Sequence, residues 1–155
     1  MSLFSSARAL AAAFTVSTVA LMAAPAAFAD CTGGIEVHDA YARVSSQVAK
    51  AGAIFMVVEN RSCKPDRIIG ATTDVAMKSM LHTHKISADG VARMVEIKGG
   101  VPLPADGKAV FERGHDHVML MGLKHPLSEG DTVTLTLIFE NADPLTVKVP
   151  VDNQR

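Results

Sequence analysis

Through residues 30–155, apolar residues come in short runs, several alternating with polar ones, and no stretch sustains a 3.6-residue apolar period. The pattern predicts strands at 35–43, 52–59, 66–72, 76–86, 91–97, 109–111, 117–123, 132–140 and 145–151. Between them fall turn-forming clusters: Ala88-Asp89-Gly90, Gly99-Gly100, Ala105-Asp106-Gly107, Glu129-Gly130 and Asn141-Ala142-Asp143-Pro144. Strands this short and this evenly spaced predict an all-β domain, a Greek-key sandwich or a small barrel. Met56, inside the apolar run Ala53-Ile54-Phe55-Met56-Val57-Val58, reads as core.

Residues 1–29 stand outside that pattern. Arg8 precedes the apolar run Ala9 to Ala24, and Ala27-Phe28-Ala29 supplies the small residues of an A-x-A cleavage site. The segment reads as a secretory signal peptide cut before Asp30, leaving residues 30–155 as one domain, exported to the periplasm. A lipid anchor on Cys31 is disfavoured by Asp30, because lipoprotein processing wants a small residue in that place. After residue 29 no run is long and apolar enough to cross a membrane. The exported part keeps all 16 acidic residues and loses only Arg8 of the 15 basic ones. Without a basic patch, nucleic acid is not an expected partner. Cys31 and Cys63 are the only cysteines, and an oxidising compartment makes a disulfide between them the expectation. Closing that loop would stabilise the fold by about 3–4 kcal/mol on the chain-entropy model.

Candidate chemistry gathers in two places. Gly114-His115-Asp116-His117-Val118-Met119-Leu120-Met121 is one, and His82-Thr83-His84 with Met94 beyond the following turn is the other. Side chains two apart on a strand share a face, so Met80, His82 and His84 would line one face, and His117, Met119 and Met121 one face of another strand. A hairpin would bring Met94 near His82 or His84, depending on register. Thioether and imidazole are neutral ligands, and two thioethers with histidine favour Cu(I) over harder cations.

Each residue also has a plainer reading. Methionine in a sandwich is usually gap-filling core, which Met56 exemplifies, and Met77, Met80 and Met121 stay ambiguous. His38 and His125 read as surface or turn residues, and His115 as a solvated neighbour. Treating His82-x-His84 and His115-x-His117 as zinc or iron pairs would call for a carboxylate or a third histidine, with Glu96 as a candidate. Blue-copper electron transfer needs a cysteine thiolate, and none lies near His117 or Met119. No G-x-S-x-G supports nucleophilic hydrolysis.

Taken together, Leu81-His82-Thr83-His84, Asp89-Gly90-Val91-Ala92-Arg93-Met94, Gly99-Gly100-Val101-Pro102-Leu103-Pro104, and Gly114 through Leu123 resemble the periplasmic copper chaperones of the PCuAC type. Ala51-Gly52-Ala53-Ile54-Phe55-Met56 extends the resemblance over most of the exported chain. The resemblance implies a cupredoxin-like sandwich that is not an enzyme. It places Cu(I) on His82, Met94, His117 and Met119, with His84 as the alternative to His82. It also implies a monomeric carrier that hands copper to a cytochrome c oxidase subunit or a Sco-type thiol protein. Storage or copper tolerance is the competing role.

Overall fold

The computed structural model describes residues 32–155, which form ten strands in two sheets. The first sheet holds β1 (Thr32–Val44), β2 (Ala51–Ser62), β8 (His117–Leu123), β4 (Ala76–Ile86) and β5 (Ala92–Glu96) in that order, with β7 (Gly107–Phe111) also paired to β2. The second runs β10 (Leu145–Pro150), β9 (Thr132–Phe139), β3 (Asp66–Thr73), β6 (Val101–Leu103). Every strand pairing within the sheets is antiparallel. The expected all-β, cupredoxin-like sandwich is what the chain forms.

Alternation decides what each strand buries. On β9, Val133, Leu135, Leu137 and Phe139 are buried while the threonines between them face outward. They meet Ile54, Met56 and Val58 of β2 and Val118 and Leu120 of β8 in one core cluster. Removing such a side chain from water contributes about 1.5–3 kcal/mol each. Met56, read as core from the sequence, is 2% exposed.

The strand the pattern missed is β6. Its three residues are too few to alternate visibly, and Pro102 tolerates strand geometry there because β6 is the edge of its sheet, where a missing N–H breaks no further ladder. β1 is longer than expected and carries an irregularity between His38 and Tyr41, where Asp39 takes a left-handed φ of 51°. Aspartate tolerates that conformation better than most residues, and the extra residue lets Tyr41 and Arg43 resume the outward face.

Two polar devices close the ends. Buried Asn60 donates from Nδ2 to the carbonyls of Lys64 (2.8 Å) and Pro104 (3.0 Å) and accepts at Oδ1 from the Ser62 amide (3.0 Å) and hydroxyl (2.7 Å). It thus ties the loop carrying Cys63 to the β6–β7 turn. The other end is tied by a parallel bridge between Ala42 and Val151, the Asp152 amide donating to the Ala42 carbonyl (2.9 Å), and the Val44 amide donating to Asn153 Oδ1 (2.9 Å).

Candidate metal centre

The outward face of the first sheet carries the candidate donors. β4 pairs with β8 so that Met80 opposes Met119 and His82 opposes His117. β4 also pairs with β5, which sets His84 opposite Met94. Side chains directly opposed on antiparallel strands share a face, so six soft donors from three strands lie on one surface. The turn at Asp89-Gly90 makes this register possible, with Gly90 at φ 78° and the Ser87 hydroxyl and amide both bonded to the Val91 carbonyl.

His84, Met94, His117 and Met119 line a single open cleft of about 960 Å3, together with Phe55, Arg43, Arg113 and the small residues Ala51, Gly52 and Ala53. Phe55, inside the apolar run that holds Met56, forms a wall of this cleft. Its parity is opposite to that of Ile54 and Met56, and it is buried instead on the outer face, with its ring 5.1 Å from Tyr41 and 6.1 Å from His117. Strict period-two counting along the apolar run is the signal that finds it.

His117 is 2% exposed, an unusual place for a histidine on an outward face. Its Nδ1 lies 2.9 Å from the His115 carbonyl, an oxygen that only accepts, so Nδ1 carries the proton and Nε2 keeps a free lone pair. A carbonyl holding one ring nitrogen while the other is left to a metal is how histidine ligands are commonly oriented. Burial pushes the His117 pKa below 6.5, and its histidine neighbours His84 and His82 add to this against the opposing pull of the His115 carbonyl and Asp116. The ring is therefore held neutral, as a ligand must be.

His82 and His84 differ in environment. The His84 ring is 5.2 Å from that of His117, lines the cleft, and has Nδ1 3.5 Å from the same His115 carbonyl. The His82 ring stands 6.1 Å from His117, edge to face, and both of its nitrogens are buried without a hydrogen-bond partner. An unmet buried polar atom costs about 1–3 kcal/mol, so this ring lacks a partner that something else should supply.

Met94 lines the cleft from the sheet edge, 54% exposed, and the remaining candidates lie elsewhere. His38 bonds Glu36 and Glu59 on the far part of the same sheet, and His115 and His125 are exposed. Glu96 opposes His82 in register but lines a separate cavity with Asp116, Thr83 and Lys85. Among the described residues no three histidines, cysteines or carboxylates converge on one point as a metal-binding group. Thioethers beside histidines on one cleft suit a soft monovalent cation.

Residues 35–151 match the family described as "Putative lipoprotein LpqE-like". The chain is 32% identical over 118 residues to "Putative lipoprotein Lxx21020" of Leifsonia xyli subsp. xyli (strain CTCB07), an alignment covering 76% of this chain and 69% of that protein. The chain belongs to the LpqE-like family. Among solved structures, CuI-DR1885 from Deinococcus radiodurans is 32% identical with a TM-score of 0.61, covering 81% of this chain and 85% of that one. The copper-bound PCuAC domain from PmoF2 superposes with a TM-score of 0.63 at 21% identity, covering 78% and 94%, and so speaks to fold alone. The resemblance to PCuAC-type chaperones read from the sequence is borne out.

In this LpqE-like domain the matched span takes in all six donors and the cleft. Cys63 lies in the loop that Asn60 fastens, while Cys31 and the expected signal peptide fall outside the described residues. No helix among the described residues is long and apolar enough to cross a membrane.

Proposed function

We propose that this protein is an exported Cu(I) carrier, not an enzyme, and that it holds one ion on His82, Met94, His117 and Met119. The observation that carries the reading is the convergence of two thioethers with a histidine whose Nδ1 is tied to a backbone carbonyl, leaving Nε2 bare beside an open cleft. The unpartnered nitrogens of His82 favour it as the fourth donor, since binding a cation would satisfy one of them. His84, half-exposed at the cleft and already within reach of the His115 carbonyl, is the alternative fourth donor. CuI-DR1885, 32% identical to this chain, carries Cu(I), which supports the choice of metal.

All four donors are neutral, so the bound ion keeps its single charge. An open cleft lets an incoming thiolate replace them one at a time. Thioethers also escape loss to disulfides in an oxidising compartment, although they remain open to sulfoxide formation. The acceptor in this reading is a cytochrome c oxidase subunit or a Sco-type thiol protein in the periplasm. The Cys31–Cys63 staple, the cleaved leader and an unlipidated N-terminus belong to the same reading. Intact mass of the exported protein tests these three together, expected to begin at Asp30, two hydrogens below the dithiol mass, with no lipid.

Competition against a chromophoric Cu(I) chelator tests the site. One tight equivalent is expected, weakened about 100-fold or more in both His117→Ala and Met119→Leu, since even the outer partners of ligands are worth 10–100-fold. Unchanged affinity in the double variant would sink the assignment. In a deletion strain, loss of oxidase copper supports delivery, whereas intact oxidase with altered copper tolerance supports storage.

A further inference from the structure

Thioethers continue along the outer face beyond the donors already assigned. Met121 lies two residues past Met119 on β8, and the register sets Met80 opposite Met119 and Lys78 opposite Met121. On the other flank β2 places Ala53 beside Met119 and Ala51 beside Met121. Those two alanines line the cleft together with Met119, so its floor runs on toward Met121 over small side chains. Met121 is 41% exposed, and Met80 and Met119 are half-buried.

Opposed Cβ atoms on paired strands stand about 4.5–5.5 Å apart and diagonal neighbours about 7–8 Å. Methionine has three rotatable bonds to close such gaps, so three sulfurs on these positions can turn toward one point above the ladder. The short side chains of Ala51 and Ala53 leave that point open to solvent. No carboxylate is paired with Met119 or Met121 to serve a harder cation, and Lys78 at the far end of the shelf discourages a divalent ion more than a monovalent one.

We propose that Met80, Met119 and Met121 form a second soft-cation site, a shelf that takes monovalent copper or silver through thioethers alone and shares Met119 with the cleft. The proposal rests on the Cu(I) reading of the cleft and extends it to how the ion enters or leaves. Passage is a ligand exchange. The ion keeps its oxidation state and its bond to Met119, bonds to Met80 and Met121 break as those to Met94 and the histidines form, and no proton or electron moves. Three thioethers without a histidine, one of them exposed, make the shelf the weaker of the two sites, as a transit position requires.

The test uses the exported protein carrying 13C-methyl methionine, titrated with Ag(I) and separately with Cu(I) under ascorbate. The first equivalent is expected to shift the Met94 and Met119 methyls, and the second, resting on Met80 and Met121 while Met119 stays with the first ion, those of Met80 and Met121. Met80→Leu/Met121→Leu, which nearly conserves volume, should weaken the second equivalent tenfold or more and leave the first unchanged. Saturation of the wild-type protein at one equivalent would overturn the shelf, as would a second equivalent that survives the double variant. His117→Ala separates the two readings: if it leaves the first equivalent intact the cleft assignment fails, while the Met80 and Met121 shifts still report on the shelf.

Discussion

The two faces of β8 make the sharpest contrast in the molecule. Val118 and Leu120 point between the sheets and are wholly buried, packed with Leu135, Leu137 and Ile54 in one cluster. His117, Met119 and Met121 alternate with them and face the other way, into the cleft and along its floor. One face is dry and satisfied by packing alone. The other holds a buried imidazole, a neighbouring ring on β4 with two unmet nitrogens, and sulfurs graded from half-buried to exposed. Adjacent residues of a single strand therefore do unrelated work, one set keeping the sheets together and the other leaving donor atoms without protein partners.

Substitutions one residue apart should separate stability from copper affinity. Leu120→Ala, which opens a cavity between the sheets, is expected to cost about 2–5 kcal/mol in urea unfolding. Met119→Leu, its neighbour, should cost less than about 1.5 kcal/mol while abolishing tight Cu(I) binding. Equal losses of stability in the two variants would erase the distinction between the faces.

His82 offers a sign test. His82→Leu removes two unpartnered nitrogens from a buried place, so the metal-free protein should become more stable by about 1–3 kcal/mol even as Cu(I) affinity falls. His84→Ala, at a more open position, should change stability little and affinity less than the His82 variant does. Destabilisation of the metal-free His82→Leu protein, or a larger affinity loss in His84→Ala, would transfer the fourth-ligand role to His84.

The smallest effect is the pH dependence of the metal-free fold. Burial lowers the His117 pKa below its ordinary 6.5, so between the two values the unfolded chain binds the proton and the folded one does not. This contribution is fully present above about pH 6.5 and is lost as pH falls toward the folded value. Unfolding midpoints should therefore drop on acidification through that window, and the drop should shrink in His117→Leu. A wild-type slope equal to that of the variant would show that burial does not hold the ring neutral.

Much of this was legible in the pattern of residues. The strand containing Thr132 to Phe139 announces its buried face by strict alternation, and His117, Met119 and Met121 announce a shared face by parity. Phe55 was hidden because a strand continuous in apolar residues conceals which of them turn outward. β6 was hidden because three residues around a proline carry no period. His82 and His84 were indistinguishable because they have the same parity, and only cross-strand pairing separates an imidazole opposite His117 from one opposite Met94.

The sequence by itself determined the all-β class, the two donor-bearing segments and the neutral, soft character of their ligands, because periodicity and side-chain chemistry are local properties. The tertiary structure decided which donors share a surface, that this surface is the outer face of a sheet rather than a pocket between sheets, and that the His115 carbonyl sets the His117 tautomer. Those depend on register between strands far apart in the chain, and a shift of one residue in any pairing would have turned the same donors to the opposite face.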